Sequence, residues 1–464
     1  MNGKRDYLWL LALIFLSALI LKLYFSTQEY LIHNIDAGYY VKHIGEIFTQ
    51  GYPQVTDPPI AFYYAAAFVS LFGMMLGFKV AIALASAGIA FPVYLICERL
   101  SRNRAIGLLG AFFAAFSPTS MFMMGDLFKN EVGLFFAAWF VYFLIVSTDK
   151  FSPRSAVLTL LFAGLMVGSH FSTSGYVMFS LAPFLALFPA LAYWKEGKLG
   201  KEHWFCLAIF VALLLAGTAV ILYKGWDISS GQVGVVGLNG HGELNARIFD
   251  EYSLFLIPSF LALTMMGWKR QMLFVPWLAV AFLLTQTMFV DPAWSGRFVW
   301  DSFVLVAILS ALGVGYFWKD PMAFAGISIV LMLFVISGFV ESANSTHPVI
   351  EEDEWFGMLK LKSEYPQMRF TMIHGGLEYW TEAAGIESSP DAGHTLICVE
   401  GPEESNGWLS AGCEQAAAKI PPFMVGEIEW VERFGRFLVV DIESLPDDFR
   451  EVEQDPHALN PPPQ

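Results

Sequence analysis

Pro59-Ile60-Ala61-Phe62-Tyr63-Tyr64-Ala65-Ala66-Ala67-Phe68-Val69-Ser70-Leu71-Phe72-Gly73-Met74-Met75 is an apolar run, and whether it crosses a membrane decides the side on which every later loop lies. Counted as a span, it turns Arg99, Arg102 and Arg104 outward, together with the Lys195, Lys198, Lys201 cluster and the Lys269-Arg270 pair. That arrangement breaks the positive-inside rule at each strong basic cluster. Laid along the outer interface as a juxtamembrane helix, it leaves thirteen basic residues inside: Lys4, Arg5, Arg99, Arg102, Arg104, Lys150, Arg154, Lys195, Lys198, Lys201, Lys269, Arg270 and Lys319. Only six, Lys42, Lys79, Lys129, Lys224, Arg247 and Arg297, then fall in the outer loops. The interfacial helix is therefore the expectation.

The rest of the chain makes a bilayer the solvent. Of 464 residues, 56% are hydrophobic, 16% aromatic and only 15% charged, a composition too apolar for a soluble protein. Tyr7 to Ser26, after Met1-Asn2-Gly3-Lys4-Arg5, is long enough at 1.5 Å per residue to cross ~30 Å of hydrocarbon. It carries Lys22 near its outer end, where a long side chain can snorkel, and lacks a small-x-small cleavage site, so it reads as an uncleaved anchor. Further spans are expected near 79–98, 106–123, 131–148, 155–172, 177–194, 204–223, 252–268, 272–290, 299–318 and 322–340, making eleven. A multi-pass plasma-membrane protein follows, with its amino terminus cytoplasmic and everything after about Phe339 extracytoplasmic.

Charge divides the chain at the same place. Glu341 to Gln464 holds 24 acids and 7 bases, a net of −17, whereas the 340 residues before it carry +2. The expected organisation is a transmembrane domain over 1–340, an extracytoplasmic small α/β domain over 341–454, and a disordered tail over 455–464 that contains Pro461-Pro462-Pro463. Strand-like runs at Arg369 to Ile373, Thr395 to Glu400 and Arg436 to Ile442 alternate with helix-like stretches at Glu352 to Tyr365 and Leu377 to Ala384. So acidic a domain repels phosphates and argues against a nucleic-acid partner. Cys97 and Cys206 fall in apolar spans as packing residues. Cys398 and Cys413 share the outer domain, where a disulfide and two free thiols are both open readings. No Cys-x-x-Cys or His-Glu-x-x-His spacing points to zinc.

The outer loops carry the chemistry. Asp36, in His33-Asn34-Ile35-Asp36-Ala37-Gly38-Tyr39-Tyr40, stands at the membrane boundary before an apolar helical pattern; capping that helix is the alternative role. Met123 to Glu131 reads Met-Met-Gly-Asp126-Leu-Phe-Lys129-Asn130-Glu131, which as one helix sets Asp126, Lys129 and Asn130 on a single face. A solvated hairpin tip with a local ion pair is the alternative there. Lys224 to Asp250 is glycine-rich without a dinucleotide fingerprint, and serves as a lid or as an idle connection. Arg297 opens the tenth span, placed to meet a phosphate or lipid headgroups. His170 lies at the outer end of the fifth, as a structural interfacial residue or a site residue.

These features together resemble the GT-C glycosyltransferases, integral membrane enzymes that use polyprenyl-phosphate-linked sugars. The likeness rests on an acid in the first outer loop (Asp36), a Pro-Pro-x-x-x-Tyr-Tyr helix (Pro58-Pro59-Ile60-Ala61-Phe62-Tyr63-Tyr64), and a second acid at the outer end of the third span (Asp126). The Arg297-Phe298 pair is similar to one found before a late span in protein O-mannosyltransferases and lipid A aminoarabinose transferases. The resemblance covers roughly residues 1–150 by motif and the remainder by architecture. Ala37 follows Asp36 where the O-mannosyltransferases have an Asp-Glu pair. The Trp-Trp-Asp motif of oligosaccharyltransferase catalytic subunits is replaced by Glu354-Trp355-Phe356 and Glu378-Tyr379-Trp380.

The resemblance implies an inverting hexosyl or pentosyl transfer from a polyprenyl-phosphate sugar donor to a glycan, lipid or protein acceptor, among membrane lipids. Asp36 is then the general base and Asp126 its catalytic partner; Arg297, Lys129 and His170 bind the donor phosphate. A divalent metal, Mg or Mn, stays open, with Asp36 and Asp126 as its oxygen ligands if one is used. Two other classes remain open: a transporter, which would place charges and broken helices at the midplane, and a noncatalytic scaffold whose outer domain binds partners.

Overall fold

Helix starts are written into the sequence as a capping residue followed by proline. Ser117 accepts from the Ser120 amide ahead of Pro118, and Ser152 pairs with Ser155 in a capping box ahead of Pro153. Asp320 accepts from the amides of Met322 and Ala323, both at 3.1 Å, ahead of Pro321. Each motif satisfies donors that a helix start leaves unpaired, and proline at the first helical position lacks only an N–H that has no partner there.

The computed structural model describes the chain except residues 1–2, 34–35, 56, 224–246, 287–291, 349, 372–374, 389–393, 399–429, 435–436 and 442–464. Its helices are α1 (Gly3–Ser26), α2 (Ala37–Gln50), α3 (Ile60–Phe72), α4 (Met74–Gly88), α5 (Ala90–Ser101), α6 (Arg104–Ala115), α7 (Pro118–Asp126), α8 (Phe128–Asp149), α9 (Pro153–Val167), α10 (Phe171–Glu196), α11 (Lys201–Tyr223), α12 (Arg247–Met265), α13 (Trp268–Leu284), α14 (Pro292–Asp301), α15 (Phe303–Val314), α16 (Pro321–Ser345), α17 (Glu352–Glu364) and α18 (Gly375–Ala383).

Among the described residues, six helices are long and apolar enough to cross a membrane: Tyr7–Ser26, Met74–Ser101, Arg104–Gly125, Phe128–Asp149, Phe171–Glu196 and Pro321–Ser345. A seventh is formed if Ser295–Asp301 and Phe303–Lys319, bent by 42°, count as one. The protein is thus a multi-pass, mostly helical membrane protein, with fewer full-length apolar helices than the eleven read from hydropathy. Two of the missing stretches are short helices, Pro153–Val167 and Tyr252–Met265. The first stops before His170, and the second is shortened by non-helical geometry at Tyr252. The 204–223 and 272–290 stretches run up to segments outside the description. At 13 residues, α3 is roughly 20 Å long, short of the ~30 Å that a crossing needs.

The described chain clusters into two units. The first comprises residues 1–24, 57–61 and 82–343; the second comprises 25–56, 62–81 and 344–464. The contact boundary near 343 lies close to the charge boundary, but two earlier segments go with the carboxy-terminal part.

In the first unit, α8 is the central rod, with most of its side chains buried. Asp149 at its end accepts from Arg99 Nε (2.9 Å) and Arg270 Nη2 (2.5 Å), with Lys269 Nζ 3.6 Å away. Residues of three connections assigned to one side of the membrane therefore gather at one end of the unit. Lys129, twenty residues earlier on α8, is about 30 Å away at the other end. A backbone-on-backbone approach joins α12 to α15: a Cβ on Gly313 would fall 1.8 Å from the Pro258 carbonyl oxygen.

The second unit contains a mixed sheet of β1 (Arg369–Thr371), β2 (Glu387–Ser388), β3 (His394–Cys398), β4 (Trp430–Phe434) and β5 (Phe437–Asp441), in the order β2-β1-β3-β5-β4. β1 runs parallel to β2 and β3, while β5 is antiparallel to β3 and β4. Here α18 packs on α2. Gly38 meets Trp380 so closely that a Cβ would lie 2.6 Å from the Trp380 nitrogen, and Lys42 Nζ donates to Glu382 Oε2 at 2.5 Å. Cys97 and Cys206 are buried free thiols. Cys413, the Cys398 side chain, most of the 224–250 loop and the 455–464 tail lie outside the described residues.

Candidate active site

Four connections of the first unit meet at the Lys129 end of α8. Lys129 Nζ donates to Asp57 Oδ2, an ion pair across 72 residues of sequence in which the lysine is almost buried. The single face expected over 126–130 is not made. The chain breaks at Leu127 (φ −134°, ψ 57°), so Asp126 closes α7 while Lys129 opens α8. The Asp126 side chain lies outside the described residues.

His170 is placed by its role at the start of α10, where its Nδ1 accepts from the Thr173 amide at 3.4 Å. Nδ1 also lies 3.0 Å from Thr173 Oγ1, a contact whose direction depends on which ring nitrogen carries the proton. The ring stays neutral because burial, and then the nearby cations Lys129 and Arg297, push its pKa down from 6.5 to about 3, with Asp57 pulling weakly the other way. A buried neutral ring of this kind fits the role of an N–H donor. Arg297, part-buried on α14, is fixed beside Phe298, whose ring stacks on Tyr176 with centroids 5.8 Å apart. Lys129, Arg297 and Asp57 thus each lie within electrostatic range of His170.

Behind this cluster is a buried polar layer whose connections the sequence reading did not anticipate. Asp301, the last residue of α14, is fully buried; its Oδ1 accepts from Thr173 Oγ1 (3.3 Å) and Asn130 Nδ2 (3.4 Å). Glu131 is also fully buried, and its Oε1 accepts from Ser120 Oγ at 2.7 Å. Ser120 and Ser86 in turn accept from Lys22 Nζ at 2.9 and 2.5 Å. Lys22 therefore does not snorkel: it is 0% exposed and joined through two hydroxyls to a glutamate on α8. The only sequence signal for these residues was polarity inside apolar runs.

Asp36 belongs to the second unit and precedes α2. It occupies the cap position, but with helical backbone (φ −79°, ψ 0°) and without a side-chain bond to the first turn, so the capping role is not the one its carboxylate fills. The same helix carries an ordered polar and aromatic face: His43 Nδ1 lies 2.7 Å from Glu46 Oε2, and Tyr39 packs against His43 and Tyr379. Trp380, from the second tryptophan-bearing motif, is buried against Trp355 from the first, with centroids 5.4 Å apart. Among the described residues no three metal-ligating side chains gather, and no step below runs through a metal.

The fold has counterparts among solved structures. The oligosaccharyltransferase of Archaeoglobus fulgidus, in its apo form, matches with a TM-score of 0.57 at 11% identity, covering 94% of this chain and 75% of that one. ArnT from Cupriavidus metallidurans matches in its apo state with a TM-score of 0.57 at 10% identity, over 95% of this chain and 98% of that one. The same enzyme bound to undecaprenyl phosphate matches equally, at 0.57 and 10%, over 94% and 98%. At these identities the likeness is one of fold, a GT-C-like architecture in line with the expected one. No family model and no curated protein matches the sequence.

Proposed function

We propose that the chain is a membrane glycosyltransferase moving a sugar from a polyprenyl-phosphate donor to an acceptor hydroxyl or amide on the extracytoplasmic face. The observation that carries this reading is the convergence of Lys129, Arg297 and a neutral His170 at one end of the first unit. The fold adds support, since an enzyme that shares it was captured with undecaprenyl phosphate.

In the reaction, the acceptor oxygen or nitrogen forms a bond to the anomeric carbon from the face opposite the phosphate, and inversion follows. The anomeric C–O bond breaks with its electron pair going to the phosphate oxygen. Lys129 and Arg297 offset the charge that builds there, an electrostatic contribution made where bulk water is scarce. His170 adds a ring hydrogen bond without adding charge. Asp36 takes the proton from the acceptor as general base, and Asp126 holds the acceptor.

Asp36→Asn keeps the size of the side chain and removes its basicity, so transfer from a radiolabelled polyprenyl-phosphate sugar falls by about 10²–10⁴-fold in a protein that still folds. Full activity in that variant ends the assignment of the base. Sugar flux across a vesicle membrane without transfer by the wild type would favour a transporter instead.

A further inference from the structure

Asp301 stands where the three elements bearing the proposed phosphate ligands meet. It shares α14 with Arg297, four residues earlier and one helical turn away. Through Asn130 it holds the residue next to Lys129 at the start of α8, and through Thr173 it holds the helix start that His170 caps. The neighbouring bond, Tyr176 Oη to Ser302 Oγ at 2.8 Å, fastens α10 to the same corner.

Packing does not explain an acid here. Asp301, Thr173 and Asn130 are at most 2% exposed, and Asp301 Oδ2 has no hydrogen-bond partner among the described residues. A buried carboxylate with one oxygen unserved costs stability that an apolar or amide side chain of similar size would not. Both observed bonds run toward the acid, from the Thr173 hydroxyl and the Asn130 amide, so one carboxyl oxygen ties the two helices to α14.

We infer that Asp301 is the positioning residue of the cluster: through Asn130, Thr173 and its own helix it sets Lys129, His170 and Arg297 in one register, so that they meet a lipid-linked phosphate together. This rests on the glycosyltransferase reading and names the residue that organises its phosphate subsite.

The test compares binding of polyprenyl phosphate and of the phosphate-free polyprenol to the purified full-length protein in nanodiscs. Asp301→Ala and Thr173→Val each weaken polyprenyl phosphate binding about tenfold, the change expected when a buried hydrogen bond is lost, and leave polyprenol binding unchanged. Thr173→Ser, which keeps the hydroxyl and loses the methyl group, binds like the wild type. If Asp301→Ala does not fold, the Thr173 pair decides. Wild-type binding by Thr173→Val, or equal losses for phosphate and polyprenol, would overturn the positioning role and leave the function reading standing. A wild type that binds polyprenol and its phosphate alike would overturn both.

Discussion

Lys22→Met removes the ammonium from the Lys22–Ser86–Ser120–Glu131 chain while keeping most of its length. Only 17% of the α1 span is buried, so one side chain does much to fasten this helix: Lys22 reaches Ser86 on α4, Ser120 on α7 and, at 5.7 Å, the ring of Phe339 on α16. Two magnitudes compete. Breaking a buried ion pair from one side costs about 3–5 kcal/mol, whereas polar contacts between membrane helices average about 0.6 kcal/mol. Lys22 and Glu131 are both 0% exposed, and Glu131 Oε2 has no hydrogen-bond partner among the described residues. The two charges meet through serine hydroxyls and not directly, so the cost falls at the lower end of the larger range. Lys22→Met alone should therefore cost about 3 kcal/mol. Together with Glu131→Gln the cost should fall well below the sum of the two single losses, with a coupling of about 2 kcal/mol. Reversible unfolding in mixed micelles of the wild type, both single variants and the double variant measures the cycle. A coupling within about 0.5 kcal/mol of zero would show that the two charges do not sense each other through the serines, and the inferred network would fail.

At Gly313, alanine drives a methyl group into the Pro258 carbonyl, and because that neighbour is backbone the helices α12 and α15 must separate. The expected loss exceeds the ~1–3 kcal/mol of ordinary overpacking, read as a lowered midpoint in the same micelle assay; an unchanged midpoint would refute the close approach. His170 carries a pH signature. Its folded pKa of about 3 lies below the ordinary 6.5, so as pH falls through that interval the unfolded chain takes up a proton that the folded protein refuses, and stability drops. Stability is fully present above pH 6.5, and His170→Gln flattens the acid limb of a midpoint-against-pH curve; parallel curves for variant and wild type would count against the buried neutral ring.

Much of the membrane architecture was legible because apolar length and basic flanks are local properties. Arg99, Lys269 and Arg270 were assigned to one side by charge alone, and the structure joins them on Asp149. Helix breaks were less legible. Tyr252 interrupts a run that hydropathy averages over, and Leu127 divides a segment with no proline or glycine at the break. The site was visible as a scatter of polar residues, Lys129, His170 and Arg297, but not as an arrangement. Nothing in the periodicity around Asp57 announces a lysine 72 residues away. Asp301 and Glu131 looked like residues near the ends of spans, and Lys22 like a snorkelling lysine, because sequence shows distance along the chain and not which neighbouring helix supplies the hydroxyl.

The Asp57–Lys129 pair makes the resting protein its own counter-ion. A phosphate arriving at this corner finds the ammonium already engaged and gains only the difference between two anions, so chloride and other weak competitors have little hold there. On the proposed reading the donor's phosphodiester carries one negative charge and needs Arg297 as a second partner to displace the carboxylate, whereas the spent carrier's phosphate monoester carries up to two. If the proposed transfer holds, the return of Asp57 to Lys129 would compete with the spent carrier and favour its release.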